Sequence, residues 1–221
     1  MNSLALVPVR AGSKGVPGKN TRDFCGRPLF AWAVRIGLMT CHQTYVTTED
    51  SAIGLMAAQY GAKVIVRPPE LATDEAPMLP VIQHALKTLD GVFDTDIVVL
   101  LQPTQPWRTA EHIRRAMSLL TDDWDSVVSV VESVSPDLIA TMSGDRLLLH
   151  SSVTRRQDAR KGYVRDGTVY VIRRECIEAG SLYGDCQGMV VPRAESCTID
   201  TEEDWLTAVA GQQMVGEMLY G

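Results

Sequence analysis

The chain has 221 residues, enough for one sizeable α/β domain or one domain with a small appendage. Hydrophobic residues make up 45% and charged residues 22%; no apolar run approaches the ~20 residues needed to cross a bilayer, and no basic leader precedes the first one, so a cytoplasmic protein with no membrane partner is expected. A net charge of −6 argues against nucleic acid as a partner, and five scattered cysteines without a C-x-x-C pair indicate neither a disulfide framework nor a zinc site. The charge is uneven, however. Residues 1–30 carry Arg10, Lys14, Lys19, Arg22 and Arg27 against Asp23 alone, which suits a small anionic ligand.

Ser3 to Val9 reads as a short buried strand that stops at Arg10-Ala11-Gly12, where a glycine-rich loop runs to Asn20. Pro28 opens a helix to about Met39, Gln43 to Thr47 is a second strand, and Ile53, Met56, Ala57 and Tyr60 fall at helical spacing before Gly61. Lys63 to Val66 is a third strand, and a Pro-rich loop then leads to a helix from about Met78 to Leu89. Asp96 to Leu101 is the clearest buried strand, and Gln102-Pro103-Thr104-Gln105-Pro106 ends it. Thr109 caps a helix with Ile113, Ala116, Met117 and Leu120 on its apolar face. Ser126–Val131 and Thr168–Ile172 are further strands, and Thr201 with Asp204 resembles the capping box of a final helix.

Strands and helices thus alternate through the first two-thirds. The pattern implies an α/β fold, a mostly parallel Rossmann-like sheet with helices on both faces, in a single domain over 1–221. Between about Glu132 and Arg165 the rhythm breaks, and residues 133–162 read as an inserted segment that covers the site or meets another subunit; Leu147-Leu148-Leu149 is its one strand candidate.

The loop Arg10-Ala-Gly-Ser-Lys-Gly-Val-Pro-Gly-Lys-Asn20 follows the first strand, where ligands bind in open α/β sheets. Glycines let backbone N–H groups point inward, and Lys and Arg neutralise phosphate. It is not a Walker A loop: one residue too many separates Gly12 from Gly18, and Asn20 stands where a hydroxyl should. The dinucleotide G-x-G-x-x-G pattern is also absent. The four histidines show no spacing that suggests metal or triad chemistry.

Val7-Pro8-Val9-Arg10-Ala11-Gly12-Ser13-Lys14-Gly15 with Lys19-Asn20 resembles the signature of the sugar cytidylyltransferases, in particular the N-acylneuraminate (CMP-sialic acid) synthetase group. Further matches follow in order: Val46-Thr47-Thr48-Glu49, Arg67-Pro68 with Glu70-Leu71-Ala72 and Asp74, and Leu101-Gln102-Pro103-Thr104 with Pro106 and Arg108-Thr109. Arg155-Arg156-Gln157-Asp158, Gly167-Thr168-Val169-Tyr170 and Ile199-Asp200 complete the set, which spans roughly residues 4–204.

The resemblance implies attack of the anomeric hydroxyl of an acidic nonulosonic sugar on the α-phosphorus of CTP, with Mg²⁺ as cofactor and a homodimer whose inserted segment crosses to the partner. By resemblance, Arg10, Lys14 and Lys19 are the catalytic cations, and Arg10, Ala11, Gly12, Ser13, Lys14, Lys19, Asn20, Arg67 and Asp74 hold the nucleotide. Gln102, Thr104, Arg156, Arg165 and Asp166 meet the sugar, and Asp200 binds the metal. Taken as residues alone, Arg108 and Arg165 are equally readable as surface charges, Asp74 as a helix cap and Tyr170 as sheet core. The sequence departs from the family pattern where Thr198 replaces the first Asp of D-I-D, Asp166 replaces Asn, Glu49 replaces Asp, and Gln105 and Trp107 replace Ser and Leu. These departures leave two other readings open: a same-fold nucleotidyltransferase with another nucleotide or a non-sugar acceptor, or a catalytically impaired nucleotide-binding homologue.

Overall fold

A computed structural model describes residues 1–13 and 15–219, with 213–219 as backbone only. Its elements are β1 (Ser3–Pro8), β2 (Asp23–Phe24), β3 (Arg27–Pro28), α1 (Leu29–Thr40), β4 (Gln43–Thr48), α2 (Ser51–Gln59), β5 (Lys63–Val66), α3 (Met78–Leu89), β6 (Ile97–Leu100) and α4 (Ala110–Leu119). Then come β7 (Ser126–Ser133), β8 (Ala140–Ser143), β9 (Arg146–Leu149), β10 (Gly162–Arg173), α5 (Arg174–Glu178), β11 (Cys186–Val190) and α6 (Glu202–Leu219).

Seven strands form one sheet in the order β11-β7-β10-β6-β1-β4-β5. Ladders β1–β4, β1–β6, β4–β5 and β7–β11 are parallel, whereas β10 is antiparallel to both β6 and β7. Because helices cover both faces, the inner strands β1, β4 and β6 are buried at nearly every position rather than alternating. In β1, Ala5 and Val7 pack with Phe30, Val99 and Ile113, while Leu4 and Leu6 pack with Ile82, Leu86 and Leu100. Successive side chains of one strand therefore feed two cores on opposite faces. A third core joins Val16, in the middle of the glycine-rich loop, to Phe24, Trp32, Ile199 and Trp205. The rings of Phe24 and Trp205 meet edge to face at 5.5 Å. The loop is therefore pinned at its centre by a fully buried side chain.

Two caps expected from the sequence are made. Thr109 Oγ1 accepts from the His112 amide at 3.2 Å, and Thr201 N and Oγ1 donate to Asp204 Oδ2 at 2.8 Å each. The strand expected at Thr168–Ile172 is the inner half of the much longer β10. This strand begins where the inserted segment returns and pairs Gly162 with Ser133, the last residue of β7, and that immediate return makes it antiparallel. The segment between them carries the β8–β9 hairpin, which stands apart from the main sheet. Ile139, Met142, Leu147 and Leu149 on it are all exposed. No helix among the described residues is long and apolar enough to cross a membrane.

Candidate active site

A cleft of about 560 Å³ opens at the carboxyl ends of β1 and β6. Its volume lies within the range of small-molecule sites, and its position is where an open α/β sheet presents loops to a ligand. Of the residues expected at the site, Arg10, Ser13, Lys19, Asn20, Arg67, Asp74, Gln102, Thr104, Arg165, Asp166 and Asp200 all line it. Ala11 and Gly12 belong to the same loop, whereas Lys14 lies outside the described residues. Arg156 does not line the cleft. It sits exposed in the short turn Arg156–Asp158 of the inserted segment, which leaves the sheet at the end of β7 and carries Arg156 away from its own chain's cleft.

The glycine-rich loop is clasped to the segment 198–200, which precedes α6. Lys19 Nζ donates to the Ile199 carbonyl at 2.6 Å and reaches Asp200 Oδ1 at 3.3 Å. A methyl group built on Gly15 would overlap the Asp200 carbonyl oxygen, so only glycine allows the loop to lie this close. Gly18 takes a left-handed φ of +63°, and its carbonyl accepts from the amides of Thr21 and Arg22 at 3.0 and 2.9 Å. Asn20 Nδ2 donates to the Arg10 carbonyl at 3.0 Å, which fixes the start of the loop against its end.

The cations Arg10 and Arg67 have protein carboxylates as partners. Arg10 Nη1 donates to Asp74. Asp74 is therefore a site residue and not a cap; Pro77 occupies the N-cap of α3. Arg67 is buried, and its Nε and Nη2 donate to Glu49 Oε2 at 3.3 and 3.0 Å. The other oxygen of Glu49 accepts from the Ala11 amide at 2.8 Å. Arg67 thus acts on the loop through Glu49, a link that sequence reading missed. Its signal was available, because Glu49 follows β4, the parallel neighbour of β1, and so ends up beside the loop.

Beside the loop that follows β6, Arg108 is only 2% exposed, which removes the surface reading. Its guanidinium donates to the Thr168 carbonyl, to Gln102 O at 3.0 Å and to Gly167 O at 3.2 Å. Burial pulls its pKa down to about 9, while the Asp166 carboxylate and Tyr170 act to hold it up. Arg108 therefore staples the loop after β6 to the irregularity in β10, where the register shifts between Arg165 and Tyr170. Asp166 accepts from the Thr168 amide at 3.2 Å and from its hydroxyl. Arg165 stacks over the Tyr183 ring at 4.8 Å and donates to its hydroxyl. Tyr170, expected in the sheet core, is half-buried and lines the cleft; burial first, then Tyr183, push its hydroxyl pKa up.

Asp200 Oδ1 faces Lys19, and its side chain is 69% exposed at the cleft wall. Among the described residues, no group of three His, Cys, Asp or Glu side chains is placed to hold a metal by itself. A single accessible carboxylate next to an anion loop fits a hard cation shared with a ligand's phosphates.

A basic glycine loop at the end of a central parallel strand, continued by a second set of polar groups across one cleft, defines an enzyme of the nucleotidyltransferase type. The chain belongs to the cytidylyltransferase family, whose model matches residues 4–218. It is 33% identical over 219 residues to the CMP-N,N'-diacetyllegionaminic acid synthase of Legionella pneumophila subsp. pneumophila, covering 93% of this chain and 94% of that one. It is 30% identical to the N-acylneuraminate cytidylyltransferase of Escherichia coli O18:K1:H7, covering 95% of this chain and 52% of that one. The chain thus spans about half the length of that second relative. Its fold matches the solved structure of CMP:2-keto-3-deoxy-manno-octonic acid synthetase complexed with CTP at a TM-score of 0.73 and 17% identity, covering 98% of this chain and 100% of that one.

Proposed function

We propose that the protein transfers CMP from CTP to the anomeric hydroxyl of an acidic nonulosonic sugar and releases pyrophosphate. The observation that carries this is the clasped loop: Lys19 and Gly15 meet Asp200, and Arg10 pairs with Asp74, in a cleft that also holds Gln102, Arg165 and Asp166. Chemistry of this kind rests on positioning and charge stabilisation. The anomeric oxygen bonds to the α-phosphorus, the bond from that phosphorus to the bridging oxygen of the β-phosphate breaks, and the hydroxyl proton leaves to solvent. Lys19 and Arg10 stand where charge accumulates on the departing pyrophosphate, Lys14 is assigned to it by the family resemblance alone, and Ser13 and Asn20 complete the nucleotide end. Thr104 and Gln102 orient the acceptor, and the fork of Arg165 suits its carboxylate. Mg²⁺, when bound, supplies neutralisation of phosphate charge, and Asp200 would hold it.

The inserted arm over 133–162 is the dimer contact in this reading. Four exposed large apolar side chains on one hairpin region are a surface that a second copy covers. Arg156, remote from its own cleft, would be carried by the arm to the partner's. Incubation with CTP, Mg²⁺ and a panel of nine-carbon 2-keto acids tests the reaction by pyrophosphate release, with UTP, GTP and dTTP as controls. Release with CTP and at least one acid is expected. No release from a folded sample that binds CTP refutes the acceptor class, and preference for another triphosphate refutes the nucleotide.

A further inference from the structure

Four carboxylates stand in or beside the cleft, and three are engaged. Asp74 carries Arg10, Glu49 carries Arg67 and the Ala11 amide, and Asp166 is turned onto Thr168. Asp200 remains, with Lys19 at 3.3 Å. Position 198 is its natural companion. Residues two apart in extended chain share a face, and here Thr198 and Asp200 both line the cleft while Ile199 is buried in the core behind the loop.

The Thr198 hydroxyl, however, is committed elsewhere. It accepts from Gln105 Nε2 at 2.6 Å and lies 3.4 Å from the Asp166 carbonyl oxygen, to which it donates. The orientation of the Gln105 amide is fixed, because Nε2 also donates to that same carbonyl, which only accepts. Gln105 is 4% exposed, whereas Thr198 is exposed at the cleft wall, so the bond between them is part-buried and engages the hydroxyl from the side of the protein. A neutral oxygen whose proton and one lone pair are already in use is a poor ligand for Mg²⁺, which prefers carboxylates and gives up its waters reluctantly.

We infer that this cleft has no resident divalent-metal site: Gln105 and the Asp166 carbonyl engage the Thr198 hydroxyl, and the cation enters only as a complex with the nucleotide's phosphates, Asp200 being its one protein carboxylate among the described residues. The inference rests on the reading that CTP binds in this cleft, and the two fail separately. Mn²⁺ is the probe, its free concentration read by electron paramagnetic resonance with and without CTP, while calorimetry in chelator reads CTP binding alone. The wild type is expected to hold Mn²⁺ only when CTP is present. The variant Gln105→Ser/Thr198→Asp, with two carboxylates facing the cleft, is expected to bind Mn²⁺ without nucleotide at least about tenfold more tightly than the wild type. Stoichiometric Mn²⁺ binding by the nucleotide-free wild type that Asp200→Asn abolishes overturns the inference. So does a double variant that keeps the wild-type circular dichroism and CTP affinity yet gains no Mn²⁺ binding. If the double variant does not fold, Thr198→Asp alone decides by the same criterion. Absence of CTP binding in the calorimetric arm removes the reading of the cleft itself, whatever the Mn²⁺ arms give.

Discussion

Replacing Gly15 with Ala tests whether the clasp between the phosphate loop and Asp200 sets catalytic geometry. The added methyl carbon falls well inside the contact radius of the Asp200 carbonyl oxygen, so the loop and the 198–200 segment must part by about 1 Å. The loop cannot slide away intact, because its neighbour Val16 is fully buried in the core shared with Phe24 and Trp205. The shift therefore falls on Lys19 and Asp200, which hold each other across the clasp. A displacement of about 1 Å at a positioning group costs roughly 100-fold in rate, or about 2.7 kcal/mol of transition-state stabilisation. Overpacking of this kind also costs about 1–3 kcal/mol of stability. Steady-state pyrophosphate release with CTP varied should show kcat/KM down by about 100-fold. Gly12→Ala is the contrast, since a methyl there meets nothing within 4 Å. Its melting temperature should match the wild type, with any loss confined to the KM for CTP. A Gly15→Ala enzyme within about threefold of wild type, with unchanged melting temperature, refutes the clasp as a catalytic device.

Glu49→Ala leaves buried Arg67 without its carboxylate and the Ala11 amide without its acceptor; denaturant unfolding should show a loss of about 3 kcal/mol, and the KM for CTP should rise. Arg108→Lys keeps the charge but cannot span three carbonyls, so about 2 kcal/mol of stability should be lost and the acceptor KM should rise while the KM for CTP holds. Asp204→Ala removes the acceptor for the amides of Asp200 and Thr201 and should cost about 1 kcal/mol near neutral pH. The pKa of Asp204 is lowered, first by the Asp200 amide and then by Thr201, so its contribution is present above the unfolded carboxyl range near about pH 4 and is lost as pH falls through the lower folded value. Urea unfolding of wild type and variant should therefore differ at pH 6 and converge in strong acid, and a gap that stays constant with pH refutes the assignment.

Most of the main sheet was legible because its strands are short apolar runs punctuated by glycine and proline, with helices of clear period between them; the Met78–Leu89 helix and the break in rhythm between β7 and β10 were read directly from that pattern. The segment that escaped prediction, β11, is a mostly exposed edge strand with glycine at its centre, too weakly patterned to announce itself. The reversed direction of β10 has no sequence signature, since it follows from where the arm returns. At the site, the residue types were readable and their partners were not. Arg108 was equally readable as a surface charge because nothing local says that the carbonyls of the distant Gly167 and Thr168 converge on it with that of Gln102. Gln105 and Thr198 were each noticed as separate departures; that they touch each other is a long-range fact, 93 residues apart.

The irregularity in β10 has a consequence for how such an enzyme diversifies. Its neighbours grip it through main-chain carbonyls: Gln105 takes that of Asp166, and Arg108 takes those of Gly167 and Thr168. Side chains at 166 and 168 can therefore change together while the grip survives; they are buried and bonded to each other, so a change at one alone costs stability. The phosphate loop has no such latitude, because the absence of a side chain at Gly15 is what its contact with Asp200 requires. One end of the cleft is held through main-chain carbonyls, the other through the absence of a side chain.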